Sequence, residues 1–357
     1  MKNILILSIF IFMLAGCKST ANVNDETTTT SESNPLEIPD LYERKGQLAT
    51  AVEWKNTQEK VAELKAKIAN KPSDLKSRLQ IATIYITEAR ITGEHPYYYP
   101  AIHKILDGVL KLDPQNFEAT VLKSSVNLSQ HKFQEAKILA EKARNINPNN
   151  AYVYGILVDA NVELGNYQEA IAASDKMQSI KPSLESYARA SYLREIHGDY
   201  KGAIEAMKLA VTAGLPGSEP QCWSRNTLAD LYMKTGDLKT AEELYKTNLE
   251  LRPSYAFSIA GLAGIQQEKK NYDEALRLLN SAVAILPEYS FHEQMGDIYA
   301  LQGKREKAIE KYKEVKVMLA EDEASGHSVA LEVAKVNIKL DELDSAEKYA
   351  MLEYAAR

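Results

Sequence analysis

The stretch YQEAIAASDKMQSIKP, residues 167–182, recurs with changes elsewhere in this chain of 357 residues. It carries Ala170 twelve residues before Pro182. Three other segments keep the same interval between an alanine and a proline: Ala136 and Pro148, Ala241 and Pro253, and Ala275 and Pro287. Less complete copies place an alanine at the matching position, at Ala203, Ala308 and Ala346. A unit that repeats at this length predicts an array of stacked helical or strand units rather than one globular core.

A second helical segment lies upstream of these marker alanines. From about residue 50 the apolar residues follow helical spacing, and strand-like alternation is nearly absent. The upstream segment often carries a small residue followed three positions later by a tyrosine: Ala82 and Tyr85, Ala229 and Tyr232, and Gly296 and Tyr299. Small residues let two antiparallel helices approach closely, and a glycine such as Gly165 can end the first helix. The pattern therefore predicts a helix–turn–helix unit.

These positions of small residues, tyrosine and proline resemble the tetratricopeptide repeat, a 34-residue helix–turn–helix unit. The resemblance covers about residues 75–357 and implies an all-α protein, a right-handed α-solenoid of about eight antiparallel helix pairs. A capping helix is expected in residues 46–74. The units are expected to begin near residues 75, 117, 151, 184, 222, 256, 289 and 327. The family's first-helix tryptophan is missing from its usual place throughout, and Trp223 lies two residues early. A one-residue slip leaves the register of the fourth unit open.

The spacing of the marker alanines contains a longer period. From Ala136 to Ala346 the steps are 34, 33, 38, 34, 33 and 38 residues, so that three units repeat every 105 residues. The first wide step contains AGLPGSEPQC and the second contains AEDEASGHS. Because both fall at the same place in the period, we expect one recurring loop of inherited geometry rather than a unique insertion that carries a site.

The N-terminus predicts an exported protein. Lys2 precedes an apolar run at residues 4–15, which is too short for a comfortable membrane span of roughly 20 residues and is typical of a secretory signal. The block LAGC at 14–17 resembles the lipobox of bacterial lipoproteins. That resemblance implies cleavage before Cys17, whose thiol and new amino terminus are acylated with chains such as palmitate. The alternative is an ordinary signal peptide with an incidental cysteine.

The segment after the cysteine predicts a flexible tether. Residues 1–16 are assigned to the signal peptide and residues 17–45 to the tether, because the latter are rich in Thr, Ser, Asn and acidic side chains. Lys18 follows the cysteine where an aspartate signals inner-membrane retention in some bacteria. The expected location is therefore a lipid anchor in the outer membrane, with the body facing the periplasm or the cell surface.

Composition and motifs argue against several classes of function. The net charge of −6 is scattered along the chain, which does not favour nucleic-acid binding. With only Cys17 and Cys222, no zinc-site spacing occurs, and Cys222 is expected to be buried on a helix. His95 and His103 flank a proline-rich loop and are expected to be exposed. We predict no catalytic residue, no metal and no cofactor.

The resemblance also implies a binding surface. In the tetratricopeptide family the first helix of each unit lines a concave face, and seven residues stand at the matching positions: Tyr152, Asp159, Trp223, Asn226, Asp230, Met233 and Phe257. The equally weighted alternative is that they pack against neighbouring repeats. The stretch HPYYYP at 95–100 predicts a stiff loop, in which Tyr97, Tyr98 and Tyr99 either contact a partner or sugar ring, or cover the apolar end of the array. The cover is favoured.

The function expected from the sequence is that of a non-enzymatic, lipid-anchored scaffold that binds other envelope proteins or peptides. The alternative is an accessory lipoprotein of an outer-membrane system for polysaccharide uptake or degradation. An enzyme or a receptor for a small ligand is a third and less favoured class.

Overall fold

The computed structural model describes residues 38–357, the side chain of Gln47 excepted. After a 3₁₀ turn at Gly46–Ala49, this part of the chain forms seventeen α-helices and no strand. Helix α1 spans Val52–Asn70. The first helices of the units are α2 (Leu75–Thr92), α4 (Phe117–Ser129), α6 (Ala151–Glu163), α8 (Leu184–Ile196), α10 (Glu219–Lys234), α12 (Ala256–Glu268), α14 (Tyr289–Leu301) and α16 (Ala330–Lys339). The second helices are α3 (His95–Leu112), α5 (Phe133–Ile146), α7 (Tyr167–Ile180), α9 (Tyr200–Ala213), α11 (Leu238–Leu251), α13 (Tyr272–Ile285), α15 (Arg305–Ala324) and α17 (Leu343–Ala356).

Each first helix packs most extensively against the second helix that follows it, which gives eight antiparallel pairs from α2 to α17. Helix α1 packs on α2, and each second helix contacts the first helix of the next unit. The prediction of an all-α solenoid with about eight repeats is confirmed. No helix in residues 38–357 has the length and apolar character needed to cross a membrane.

In the second and fourth units, the two helices meet where both carry a small residue. In the second unit, the Ser124 hydroxyl donates to the carbonyl oxygen of Ala136 at 2.6 Å, and in the fourth, Ser191 donates to Ala203 at 2.7 Å. Both pairs are twelve residues apart and fully buried or nearly so. A larger side chain here would separate the helix axes. The equivalence also fixes the register of the fourth unit, because Ser191 occupies its crossing position.

The two wide steps are built differently. In the first, residues 214–218 form a connection that contains Gly214 and Gly217, and α10 begins only after it. In the second, α15 continues through Ala324 and reaches 20 residues. The expectation of one recurring loop is therefore wrong for the second site. The sequence LAEDEA consists of good or tolerable helix formers, whereas Pro216 and the two glycines interrupt a helix.

The stretch HPYYYP at 95–100 is the first turn and a half of α3, so its assignment as a loop is wrong. Pro96 lies at the start of the helix, where a missing amide hydrogen costs no intrahelical bond. Tyr98 and Tyr99 are buried, whereas Tyr97 is 38% exposed. The backbone amide of Tyr42 donates to the Tyr98 hydroxyl at 2.9 Å. This placement agrees with a cover over the end of the array.

The two histidines of this region also lie in α3. His95 stacks on Tyr99 with ring centroids 5.1 Å apart, and His103 Nε2 is 2.7 Å from the side-chain oxygen of Gln130. Both imidazoles are partly buried, so the expectation of exposed loop histidines is wrong. Because the segment after residue 94 is helical, one of its faces packs against the core and partly buries the two histidines. A loop would leave them exposed.

Late units of the array contact early ones. Glu53 at the start of α1 bonds Arg252 in the connection after α11, with Oε2 and Nη1 3.3 Å apart. The turn between α4 and α5 contacts the connection between α15 and α16: the Ser328 amide donates to the Gln130 carbonyl at 2.9 Å. Arg357 donates to the Glu163 carboxylate at 2.6 Å. The first three units thus lie against the last four.

Candidate binding groove

The first helices lie on the inside of the curve. Each first helix from α2 to α10 contacts the next first helix directly, in addition to its own partner. Neighbouring elements come closest on the inner side of a bent array, so this contact pattern places the first helices on the concave face. The concave face is therefore built from the helices on which the sequence predicts a binding surface.

A series of polar side-chain contacts, which we call the inner ladder, joins consecutive first helices along this face. Each contact links one first helix to the next, from α4 to α16. The pairs are Ser125 and Tyr152, Asp159 and Arg189, Glu195 and Lys234, Asn226 and Ser258, Gln267 and Gln294, and Asp297 and Lys339. Because each contact fixes one helix relative to its neighbour, the ladder holds the inner surface in one curvature.

The contact between Asp159 and Arg189 is the most specific of the series. Arg189 Nη2 and Nε donate to Asp159 Oδ2 and Oδ1 at 2.6 and 2.9 Å, and Nε lies 3.0 Å from the Gly155 carbonyl oxygen. A Cβ atom on Gly155 would stand 3.0 Å from the guanidinium carbon. Glycine in the middle of α6 is thus explained by the close approach of Arg189. Two parallel hydrogen bonds fix the orientation of the guanidinium group, whereas a single hydrogen bond would not.

Three large aromatic side chains, which we call the aromatic triad, remain accessible on three consecutive first helices. Tyr152 of α6 is 43% exposed, Tyr192 of α8 is 40% exposed and Trp223 of α10 is 41% exposed. Partial burial, followed by the nearby carboxylates of Glu163 and Glu195, raises the pKa of Tyr192. Its phenol is therefore a neutral hydrogen-bond donor at physiological pH. The triad offers apolar area with polar tips, on rigid helices.

Among the other sequence-predicted residues, Asn226 contacts the next repeat, whereas Asp230 and Met233 contact the second helix of their own repeat. Asn226 accepts from the Ser258 hydroxyl at 3.0 Å and donates to Asp230 at 3.2 Å. The Tyr245 hydroxyl donates to Asp230 and lies 3.3 Å from the Met233 sulfur. Burial raises the pKa of Asp230. The contact of Asn226 with Ser258 corresponds to the packing alternative, and a binding role for Asn226, Asp230 and Met233 stays a prediction.

Phe257 at the start of α12 also packs between repeats. Its ring meets Phe291 of α14 edge to face, with centroids 5.6 Å apart, and lies 5.8 Å from the ring of Tyr255. It therefore belongs to the aromatic core between the sixth and seventh units. Of the seven predicted groove residues, Tyr152 and Trp223 are the ones with an exposed aromatic surface.

Tyr192 and Arg189 were missed by sequence reasoning because of the open register in the fourth unit. Once Ser191 is taken as the small crossing residue, Tyr192 follows it directly, as Asp230 follows Ala229 one unit later. The signal was therefore present in the Ser191 to Ala203 interval, which equals the interval from Ala229 to Ala241. A serine in place of alanine or glycine concealed it.

Two kinds of group outside the groove bear on metal binding or nucleophilic chemistry in residues 38–357: metal-ligating side chains and the Cys222 thiol. No group of three or more His, Cys, Asp or Glu side chains within residues 38–357 is arranged to hold a metal ion. Cys222 is a buried free thiol on α10, as expected, and burial raises its pKa, which disfavours the nucleophilic thiolate. Cys17 and the lipobox lie outside the described residues, so their assignment stays a prediction.

Comparison with known proteins supports the repeat assignment. The family model described as "Tetratricopeptide repeat-like domain" matches residues 167–345. No curated protein matches the chain in sequence.

Solved structures share the fold. The structure of the human IFIT1 dimer with PPP-AAAA superposes with a TM-score of 0.58 at 14% identity, over 87% of this chain and 80% of that one. The APC/C hetero-tetramer Cut9-Hcn1 gives a TM-score of 0.55 at 14% identity, over 83% of this chain. The match spans only 55% of that chain. Identities this low show the fold alone.

Proposed function

Because the chain belongs to the tetratricopeptide repeat-like family, we propose that it is a non-enzymatic scaffold that binds a protein or peptide in its concave groove. We further propose that a lipid on Cys17 holds it in the bacterial cell envelope, most favourably at the outer membrane. The first proposal depends on the aromatic triad, and the second depends on the sequence of the first 18 residues.

The observation that carries the binding proposal is the aromatic triad above the inner ladder. Tyrosine and tryptophan supply much of the binding energy at protein interfaces, because they bury large areas at a small entropic cost. The ladder fixes the helices that bear them, so little ordering is needed when a partner binds. An extended peptide crossing α6, α8 and α10 would meet Tyr152, Tyr192 and Trp223 in turn.

Site-specific crosslinking in intact cells tests the groove. A photoreactive amino acid replaces Tyr192 or Trp223, and the matched control replaces Leu209, which is 52% exposed on the second helix α9. We expect one or more envelope proteins to be captured from both groove positions and not from Leu209. Equal capture from all three positions, or none from the groove, would contradict the proposal. The captured partner also separates a scaffold for protein assembly from an accessory of a polysaccharide system.

Membrane fractionation tests the anchor. A signal peptide followed by an acylated cysteine predicts that the wild-type protein sediments with membranes, and two or more acyl chains are enough for stable attachment. The Cys17→Ser variant should appear in the soluble envelope fraction. If that variant remains in the membrane fraction to the wild-type extent, the anchor lies elsewhere and this part of the proposal fails.

A further inference from the structure

Histidine side chains are concentrated where late units contact early ones. Four of the six histidines of the chain lie there. They are His95 and His103 of α3, His131 in the turn between α4 and α5, and His327 between α15 and α16. We call the set of His95, Tyr99, His131 and His327 the histidine junction. Histidine is the side chain whose charge ordinarily changes at about pH 6.5, so this placement indicates that the contact depends on pH.

Three rings of the histidine junction pack across the contact. His95 lies nearly parallel to Tyr99 on α3, with ring centroids 5.1 Å apart. His327 stacks on both rings, with its centroid 5.7 Å from that of His95 and 5.3 Å from that of Tyr99. Neutral rings at these distances attract each other. Protonation of both imidazoles would instead hold two positive charges 5.7 Å apart in a partly buried site, where charge repulsion is strong.

His327 has no acceptor among the described residues for the proton that it would gain. The Ser325 hydroxyl donates its only hydrogen to the Asp322 carbonyl oxygen at 2.8 Å, so it must accept from His327 Nδ1, which is 3.1 Å away. The other ring nitrogen, Nε2, is buried without a hydrogen-bond partner in residues 38–357, and His327 as a whole is 9% exposed. A proton on Nε2 would therefore create a buried, charged donor without an acceptor. Such a donor is destabilising, and the ring gains water as an acceptor only by leaving its site.

Three hydrogen bonds join the two sides of the contact beside these rings. The Ser328 amide donates to the Gln130 carbonyl oxygen at 2.9 Å, and Gln130 Nε2 donates to the Ser325 carbonyl oxygen at 3.3 Å. His131 Nδ1 donates to the Ser328 carbonyl oxygen at 3.0 Å. His327 lies between Ser325 and Ser328 in the chain, so displacement of its ring disturbs all three bonds. A contact of this kind can open locally while the helix pairs, each held by its own packing, stay folded.

We infer that the histidine junction is an acid-released clasp. When His95 and His327 gain protons, residues 325–329 separate from α3 and from the α4–α5 turn, and the helix pairs remain intact. Protonation of clustered histidines changes interfaces in this way in pH-sensing proteins. The clasped and released states differ in how the last units lie against the first ones.

Release also changes access to the groove. Arg357, directly after α17, donates to the Glu163 carboxylate on α6 at 2.6 Å, and its guanidinium lies 5.0 Å from the ring centroid of Phe133. The last unit therefore lies against α6, the helix that carries Tyr152. Release of the neighbouring clasp removes support from this contact, so a partner reaches Tyr152 more readily at acid pH. This consequence rests on the proposed function, whereas the release itself does not.

Other charged groups around His95 and His327 act in both directions. Positive charge comes from Arg90, His131 and Lys132, and it lowers the proton affinity of one or both histidines. Negative charge comes from carboxylates that line a cavity together with both histidines: Glu94, Glu288, Glu321, Asp322 and Glu332. Burial is the largest influence, and it lowers the pKa of each histidine to about 4.

The direction of the pH effect follows from these pKa values. A histidine with a pKa of about 6.5 when released and about 4 in the junction binds more protons when released, so the junction is fully stable above about pH 6.5 and weakens as the pH falls toward 4. At pH 5.5 each histidine favours release roughly tenfold. Burial raises the pKa of Asp322 to about 6, so protonation of this acid opposes release roughly fourfold at the same pH. Burial also raises the pKa of Glu288 and lowers that of His103, and these two shifts act in opposite directions.

Hydrogen exchange of the purified full chain at pH 7.5 and pH 5.5, with each rate divided by the intrinsic rate at that pH, tests the inference. We expect exchange in residues 325–331 and in the α4–α5 turn to increase about 25-fold, and exchange in α8 and α9 to stay unchanged. His95→Gln or His327→Gln should reduce the increase to about two- to threefold, because one titrating group is removed. The matched control His197→Gln removes an exposed histidine outside the junction and should behave like the wild type.

Asp322→Asn supplies a test of opposite sign that keeps both histidines. Its amide gains no proton, so the increase between the two pH values should rise to roughly 100-fold. The inference is overturned if the wild-type junction exchanges at the same normalised rate at both pH values, if α8 and α9 respond as strongly, or if His327→Gln retains the full increase. Where a histidine variant is already released at pH 7.5, Asp322→Asn decides, and a smaller pH response than that of the wild type overturns the inference. No partner is added, so a failure of the proposed function leaves these results unchanged.

Discussion

The ion pair between Arg44 and Glu88 makes a sharp prediction about how the N-terminal segment is held. Arg44 Nη2 and Nε donate to the two carboxylate oxygens of Glu88 at 2.7 and 3.0 Å, and both side chains are 1% exposed. The guanidinium also lies 5.2 Å from the ring centroid of Trp54 and donates to Glu53 at 2.8 Å. Glu53 in turn reaches Arg252, so this network links residues 38–53 to both α2 and the connection after α11.

Replacing Glu88 with glutamine leaves the Arg44 charge buried without its main partner. Breaking a buried pair in this way costs about 3–5 kcal/mol. Glu53 remains as a second partner, although it is 49% exposed, so we expect a cost near the lower limit, about 3 kcal/mol. Since 1.4 kcal/mol corresponds to a factor of ten, the detached state of the segment should become more populated by roughly 100-fold.

Hydrogen exchange followed by mass spectrometry measures this change directly. Faster exchange is expected in residues 38–53 and at the C-terminal end of α2, where Glu88 lies, with little change in α8 and α9, because neighbouring units stabilise each other only locally. The exposed pair between Lys55 and Glu59, 3.8 Å apart, supplies the control: Glu59→Gln should cost less than about 0.5 kcal/mol. A cost below about 1 kcal/mol for Glu88→Gln would refute the reasoning. The double variant Arg44→Met/Glu88→Met should recover most of the loss, since it leaves no unpaired charge.

Three further predictions concern packing, pH and the inner ladder. Gly296→Ala should lower the unfolding free energy by about 1–3 kcal/mol in denaturant titrations, because its Cβ would stand 2.4 Å from the Tyr312 ring; Gly264→Ala, whose nearest neighbour is the flexible Met233 methyl at 3.3 Å, should cost little. Burial lowers the pKa of His327 and of His95 to about 4, so the unfolded chain binds more protons between pH 6.5 and 4 and stability should fall as the pH falls through that window. For His327 the loss of unfolding free energy is at most about 3 kcal/mol. Asp322 offsets part of this loss because burial raises its pKa. The His327→Gln variant should therefore give a flatter plot of Tm against pH. Arg189→Lys keeps the positive charge but not the paired donors to Asp159, so small-angle scattering should show a broader distribution of array curvatures. The control Lys208→Arg, at an exposed position on α9, should leave that distribution unchanged.

The periodic residues explain why the fold was predictable. Ala136, Ala170, Ala203, Ala241 and Ala275 are all fully buried, so their spacing records the crossing points of the helix pairs directly. The errors have local causes. HPYYYP contains two prolines and so predicts a loop, although Pro96 stands where a helix accepts it. AEDEASGHS occupies the same place as the earlier wide step and so predicts a loop, although its first five residues continue α15.

The candidate sites were less predictable because they depend on contacts that periodicity does not encode. Repeat spacing relates each unit to its immediate neighbours, whereas the contacts between early and late units join segments about 200 residues apart, such as Gln130 and Ser325. In the groove, residue position alone did not distinguish exposed Trp223 from Phe257, which Phe291 covers. Tyr192 required the register that Ser191 supplies. Side-chain burial on a helix face is decided by the neighbouring helix as much as by the helix itself.

The most direct test of the account is the affinity of the purified protein for the partner that Tyr192 and Trp223 capture. Truncating an aromatic residue at the centre of an interface costs about 2 kcal/mol or more, which corresponds to roughly 30-fold in Kd. Tyr192→Ala and Trp223→Ala should each weaken binding by about this factor, while Leu209→Ala on α9 leaves the Kd unchanged. If Leu209→Ala weakens binding as much as the triad variants, or if the triad variants bind like the wild type, the concave groove is not the binding surface.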